Sequence, residues 1–319
     1  MSGAWSGLFG SAPPPVGVEI AAGRVTAVSL GGQRGAWTIT AHATERLADG
    51  VIVPALNAPN VHDRAAAAAA VRSVLERIGG RPRRVALVIP DTAAKVSILR
   101  FEQVPERSED LDQLVHWQVR KAAPFKPEDA QISWVAGAPL TDGGREFIVT
   151  LARRDVVQSY EAVCADAGAT AGIVDLSTFN LINTLLAPGT PPPGDVLLVH
   201  AAAEYSTLAI LRGGHLIFFR TRPHEAEGDL ADLVHQTAMY HEDRLGGGGF
   251  ARAWLFGYGA GGDGGEYARR SIESRLGTRV DLLDFRSAAT LRDRIGAGPE
   301  LLETLAPAIG VLLRERLTT

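Results

Sequence analysis

Gly257, Gly259 and Gly262 have the spacing G-x-G-x-x-G between an apolar segment, Ala253–Phe256, and a helix-like one. Asp281 follows at about the distance at which a dinucleotide site uses an acid to bind ribose hydroxyls. A dinucleotide-binding fold is therefore the best enzyme reading of the residues. Against it, the motif comes late and follows three successive strands rather than opening a βαβ unit. A glycine-rich loop between two elements explains the same residues. Other catalytic patterns lack their spacing. No lysine follows a G-x-x-x-x-G, which excludes a P-loop. His224-Glu225, His235 and His241-Glu242-Asp243 lack the i, i+4 histidine pair of a helical zinc site, and His235 and His241 read as solvated helix residues. No G-x-S-x-G elbow occurs. Cys164 is the single cysteine, which rules out an intramolecular disulfide or a cysteine metal cluster and reads as a core thiol in a reducing compartment.

The elements that must position these residues form two series. With 319 residues, 46% of them hydrophobic, the chain can build two domains with sizeable cores. A net charge of −4 offers no electrostatic footprint for nucleic acid. No run approaches the roughly 20 apolar residues of a membrane span, so a membrane role is expected to run through a partner. Residues 1–15 lack the basic and apolar regions of a secretory signal and read as a tail, with Trp5, Leu8 and Phe9 before Pro13-Pro14-Pro15. Val16–Ile20 and Val25–Leu30 read as a hairpin, with Thr38–Ala43 as a third strand. Asn60 is the expected cap of a helix from Val61 to Ile78. Val85–Ile89, Val96–Phe101, Ile132–Ala136, Glu146–Leu151 and Ala171–Leu176 read as strands. Helices are expected from Ser108 or Asp110 to Ala123, from Arg154 to Ala167 and from Thr178 to Leu186. The proline-rich stretch 188–194 is the best domain boundary. After it, Val196–His200, Thr207–Leu211 and Leu216–Arg220 repeat the opening layer, followed by β-α units and an amphipathic helix over 299–317. Each half thus opens on antiparallel strands and continues with β-α units, an internal duplication.

The stretch His116-Trp117-Gln118-Val119-Arg120-Lys121-Ala122-Ala123-Pro124-Phe125 reads as a helix stopped by proline that hands an aromatic to an acidic turn. Together with Val16-Gly17-Val18-Glu19-Ile20-Ala21-Ala22-Gly23, Ile173-Val174-Asp175-Leu176-Ser177-Thr178-Phe179, Leu216-Ile217-Phe218-Phe219-Arg220 and Leu255-Phe256-Gly257-Tyr258-Gly259-Ala260, it resembles the type IV pilus assembly protein PilM family, relatives of the division protein FtsA. The resemblance covers nearly the whole chain. It implies an α/β, actin-like (ribonuclease H-like, duplicated) two-domain fold with a small β-α insert in the first domain. The expected boundaries are 16–83 with 170–190 for the first domain, 84–169 for the insert, 194–306 for the second domain and 307–319 for the end of the last helix. It also implies a protein at the cytoplasmic face of the inner membrane that binds the cytoplasmic tail of a PilN-like membrane protein in a groove beside the insert, and ATP between the halves. Trp117, Pro124 and Phe125 are the expected partner contacts, although Trp117 could equally pack the insert's core.

The implied nucleotide residues are Glu19, Ala21, Ala22, Gly23, His200, Ala201, Gly257 and Gly259, and they depart from what phosphate needs. A carboxylate must hold the water shell of Mg²⁺, and turns must bring backbone N–H groups close to phosphate. Glu19 is one methylene longer than the family's Asp, the turn is Ala21-Ala22, and the second hairpin reads His200-Ala201-Ala202 where Asp-Ile-Gly is expected. A neutral imidazole does not replace a carboxylate at hydrated Mg²⁺. ATP with Mg is therefore expected to bind weakly or not at all, and the protein to be a pseudo-ATPase scaffold. The alternatives are an active actin-like ATPase, the actin-like part of a type II secretion protein such as GspL, and the dinucleotide enzyme.

Overall fold

A computed structural model describes residues 14–33, 36–80, 82–120, 123–141, 143–187, 189, 193–224, 229–257, 263–282, 289–291 and 299–317. The first half is built on β1 (Val16–Ile20), β2 (Arg24–Gln33), β3 (Ala36–Arg46), β4 (Arg84–Ile89) and β8 (Thr170–Leu176). β1, β2 and β3 form an antiparallel meander, and β4 and β8 add parallel to β1. The second half repeats this with β9 (Asp195–Ala201), β10 (Tyr205–Arg212) and β11 (His215–Pro223) as the meander and β12 (Arg252–Gly257) and β13 (Val280–Leu282) as the parallel strands. The strand orders, β3-β2-β1-β4-β8 and β11-β10-β9-β12-β13, are the same topology twice. A two-residue strand, β14 (Thr290–Leu291), returns to the first half and pairs parallel to β3.

Burial on both faces explains why β1 is apolar apart from Glu19 and β4 is apolar after Arg84. Val16, Val18, Ile20, Val85, Leu87 and Ile89 share a core with helices α1 (Arg64–Arg77) and α3 (Arg154–Asp166). Ala86 and Val88, pointing the other way, meet Val311 and Leu312 of α7 (Pro299–Leu317). The small residues Ala67, Ala68 and Ala70 are buried where α1 packs. Asp63, not Asn60, caps α1, accepting from the Ala66 N–H at 2.9 Å. Asn60 is buried instead, accepting from the Ala55 N–H at 3.0 Å and donating to the Tyr160 hydroxyl at 3.4 Å. Before the helix the chain is tied to the preceding loop, the His62 and Asp63 amides donating to the Val51 carbonyl.

In the second half, Leu197 and Val199 face α5 (Leu230–Leu245) and α6 (Asp263–Leu276). Val196 and Leu198 face α7 and the connecting helix α4 (Ser177–Leu186), which lie between the halves in one shared core. The contacts are close. A Cβ on Gly17 would lie 2.2 Å from the Ala308 carbonyl oxygen, and one on Gly310 would lie 1.9 Å from that of Asn180. The boundary expected at 306/307 therefore falls inside a single helix, which runs through Pro307 and packs on the first half's sheet.

A separate three-stranded sheet, β5-β7-β6, is formed by β5 (Ala94–Phe101), β6 (Ala130–Pro139) and β7 (Arg145–Arg153). The stretch 84–169 expected as the insert is thus too wide: β4 belongs to the main sheet, and α3 packs in the main core. Helix α2 (Ser108–Arg120) presents Leu111, Val115 and Val119 to Phe147 and Val149 on one face of the small sheet. His241 is another correction. It is fully buried, stacked on Phe250 at 4.5 Å, with Nε2 2.5 Å from Asp195 Oδ2. His235, on the same helix, is exposed as expected.

Candidate functional site

Two concave sites flank α4. The first is a cleft of about 1100 Å³ between the meanders of the two halves. The duplicated topology explains it. Each sheet ends its first hairpin at the same edge, so turns about 180 residues apart in sequence face one another. Glu19, Ala21, Ala22, Gly23, His200, Ala201 and Gly257 all line it. Gly259 lies outside the described residues.

The chemistry of this cleft is self-contained. The carboxylate of Glu19, 4% exposed, accepts from Arg24 Nη2 at 3.3 Å and from the Ser177 hydroxyl at 3.4 Å. The Gly257 N–H donates to Glu303 Oε1 of α7. Gly257 has φ +96°, and a Cβ there would sit 1.8 Å from the Ala201 carbonyl oxygen, so glycine is needed for strand-to-strand approach. Four carboxylates (Glu19, Asp49, Glu204 and Glu303) and two guanidiniums (Arg24 and Arg46) line the walls. Burial pushes the Glu204 carboxyl up from its ordinary value, against the opposing influence of its own N–H, His224 and Arg24. A polyphosphate entering this cleft meets an excess of negative walls, with the Arg24 guanidinium already on Glu19 and the Gly257 amide already on Glu303.

Beneath the cleft lies a buried polar node that sequence reasoning did not find. Asp91 follows β4, at the Pro90-Asp91 step that closes the strand, and is fully buried. Its carboxylate accepts from the Thr178 N–H at 2.9 Å, from the Thr178 hydroxyl, and from the Thr207 hydroxyl at 2.7 Å. Its own N–H donates to the Tyr205 hydroxyl at 3.2 Å. Since Thr178 gives its single hydroxyl proton to Asp91, the bond of 2.8 Å to His200 must have Nδ1–H of the imidazole as donor. By the same logic Thr221 donates to Thr207 at 2.9 Å. His200 thus turns inward, edge-on to Tyr205 and Phe256, rather than toward a ligand. The available signal was a carboxylate directly after a buried strand, where a polar group needs partners.

The second site is a groove of about 330 Å³ between the small sheet and the main body. Its roof is the sheet face opposite α2, with Ser133, Val135, Ile148 and Thr150. Its floor is Val174, Asp175, Phe179, Ile182 and Arg314, and the β10–β11 turn at Gly214-His215 closes one side. Asp175 and Arg314 pair at 3.1 Å. Burial pushes the Asp175 carboxyl up, and Arg314 opposes that. Strand β6 is the edge of its sheet, and residues 133–137 line the groove consecutively, so the strand's edge as well as one face borders it. Val135 is 47% exposed there. Trp117 (55% exposed, on α2), Pro124 (exposed) and Phe125 (half-buried) do not line this groove. Phe179, quoted in the sequence for its setting, does.

Duplicated sheets of this order, helices shared between them, a cleft at the paired hairpins and a small sheet inserted after the fourth strand define an actin-like fold. A family profile described as "Type IV pilus assembly protein PilM" matches residues 17–243. The chain belongs to this family and is an actin-like component of type IV pilus assembly. It is similar in fold to the "PilM-PilN type IV pilus biogenesis complex" (TM-score 0.79, 18% identity, 96% of this chain and 99% of that chain). It is also similar to the cytoplasmic domain of EpsL, an inner membrane component of the type II secretion system of Vibrio cholerae (TM-score 0.52, 10% identity, 95% and 94%). A weaker likeness is to a Bacteroides thetaiotaomicron protein with an actin-like ATPase fold (TM-score 0.47, 9% identity, 84% and 90%). Among curated proteins, none matches the sequence. Among the described residues no helix is long and apolar enough to cross a membrane.

Proposed function

We propose that this protein is a non-hydrolysing scaffold of the pilus machine that captures the cytoplasmic tail of a PilN-like inner-membrane protein in the groove beneath the small sheet. The observation that carries this reading is the groove itself. It sets apolar side chains such as Val135, Ile148, Phe179 and Ile182 among a few hydroxyl and amide groups, carries one ion pair, and is bordered by an unshared strand edge. That combination suits an extended peptide, whose backbone can add to β6 while alternate side chains enter the apolar floor. The PilN named in the solved PilM-PilN complex motivates the choice of partner. A protein holding such a tail would sit at the inner face of the inner membrane.

The non-hydrolysing part of the reading is supported by the cleft. The residues present do not fit Mg·ATP: the alanine turn crowds the phosphate approach, Glu19 is held by Arg24 and Ser177, and His200 is turned into the Asp91 node. The test of tail capture is titration of the full chain with a labelled peptide of the PilN-like tail, followed by anisotropy. Binding is expected, with Val135→Arg weakening it at least tenfold. Absence of binding to the wild-type chain, or no effect of the substitution, would sink the proposal.

A further inference from the structure

We propose that Asp91 is a latch that holds the two halves closed with no nucleotide between them. Asp91 belongs to the first half, while His200, Tyr205 and Thr207 belong to the meander of the second and Thr178 to the helix that connects them. All five are buried. Opening the halves would strip the Thr207 and Tyr205 bonds at once, leaving the Asp91 carboxylate with Thr178 alone and its own N–H and the two second-half hydroxyls short of a partner, the costly way to lose a hydrogen bond. In a nucleotide-gated cleft the ligand supplies the bridging contacts between halves. Here the bridge comes from the chain: Thr221 to Thr207 to Asp91 on one side, His200 to Thr178 to Asp91 on the other. Glu303 on the Gly257 amide adds a further internal tie, between α7 and the end of β12.

The latch also reaches the groove. Thr178 lies in the first turn of α4 beside Phe179, which with Ile182 one turn on belongs to the groove floor. On the tail-capture reading, which this part of the inference rests on, the tail site is therefore kept assembled constitutively rather than by nucleotide.

The test places spin labels at two exposed helix positions, Glu76→Cys on α1 and Gln236→Cys on α5, in the full chain, whose Cys164 is buried. The inter-half distance is then measured by pulsed electron paramagnetic resonance. One narrow distance is expected without ligand, unchanged in millimolar Mg·ATP, and a broadened, longer distribution in Asp91→Ala. A contraction on adding Mg·ATP, or an unchanged distribution in Asp91→Ala, overturns the latch. Should Asp91→Ala not fold, Thr207→Val removes one donor at similar volume, and the same two outcomes decide. Tail-peptide affinity in Asp91→Ala is expected to fall roughly tenfold, the scale of ordinary coupling between sites. If wild type binds no peptide, the groove reading fails while the distance measurement still decides the latch.

Discussion

Gly257 and Asp195 show what single residues carry here. Gly257 reads as part of a nucleotide motif, yet its positive φ and the 1.8 Å that would separate a Cβ from the Ala201 carbonyl oxygen give it a structural duty. Gly257→Ala is expected to cost at least about 2 kcal/mol through backbone strain and displacement of β9, read as a fall in Tm. Asp195 accepts from Arg212 Nε at 2.8 Å and Nη2 at 2.6 Å and meets buried His241 at 2.5 Å. The Arg212 bonds first, then His241, hold its carboxyl below the ordinary carboxylate range, against partial burial. A carboxyl depressed in the folded state contributes stability that is present above its unfolded value, about 3.9, and is lost as pH falls through the folded value. Asp195→Asn is expected to lose about 2 kcal/mol at pH 7. It is also expected to make stability less pH-dependent below about pH 4. Denaturant melts at several pH values check both. The spacing of His241 from other ligands excluded a zinc pair, but nothing in the sequence said that Asp195, 46 positions away, would bury it.

At the scale of elements, the small sheet divides two duties between its faces. Leu111, Val115 and Val119 of α2 close one face over Phe147 and Val149, and the other face roofs the groove. Trp117→Ala is therefore expected to leave tail-peptide affinity within about twofold, the ordinary scale of a surface change. Val135→Arg, on the groove side, should abolish most of it in the same anisotropy assay. Phe147→Ala removes a buried aromatic and is expected to cost about 3–5 kcal/mol. Hydrogen exchange should then show β5, β6 and β7 losing protection before the main sheets. Helix and strand positions were legible from periodicity, because the 3.6 and 2.0 repeats are local. The insert's true extent was not. β4 reads the same whether it pairs with β1 or opens a subdomain, since pairing partners are not written in a strand's own residues. The Pro-aromatic stop after α2 drew attention to Trp117, Pro124 and Phe125, while the groove is made by residues from β6, β7, β8 and α4 that carry no shared local signature.

For the whole molecule, the expectation is that calorimetric titration of folded protein with Mg·ATP gives no heat of binding up to millimolar concentration. A metal-dependent submillimolar affinity would instead mean that Arg24 leaves Glu19 and that the alanine turn still accepts phosphate. Element order and the repeat of antiparallel strands followed by β-α units were enough to read an internal duplication, because burial pattern and chain order are one-dimensional properties, while the actin-like fold was implied by the resemblance of short segments to a family. The departure of Ala21-Ala22 and His200-Ala201-Ala202 from the turns the resemblance leads one to expect was also legible, since each is a run of contiguous residues. Only the tertiary structure decided where α7 belongs: it follows the second half in sequence but covers the first half's sheet, closely approached at Gly17, and meets α4 at Gly310. Only it paired Asp91 with Thr207, Asp195 with His241 and Gly257 with Glu303, pairs separated by 116, 46 and 46 positions. Such contacts depend on how two halves close on each other, and that geometry is set by the packed core as a whole rather than by any stretch of sequence.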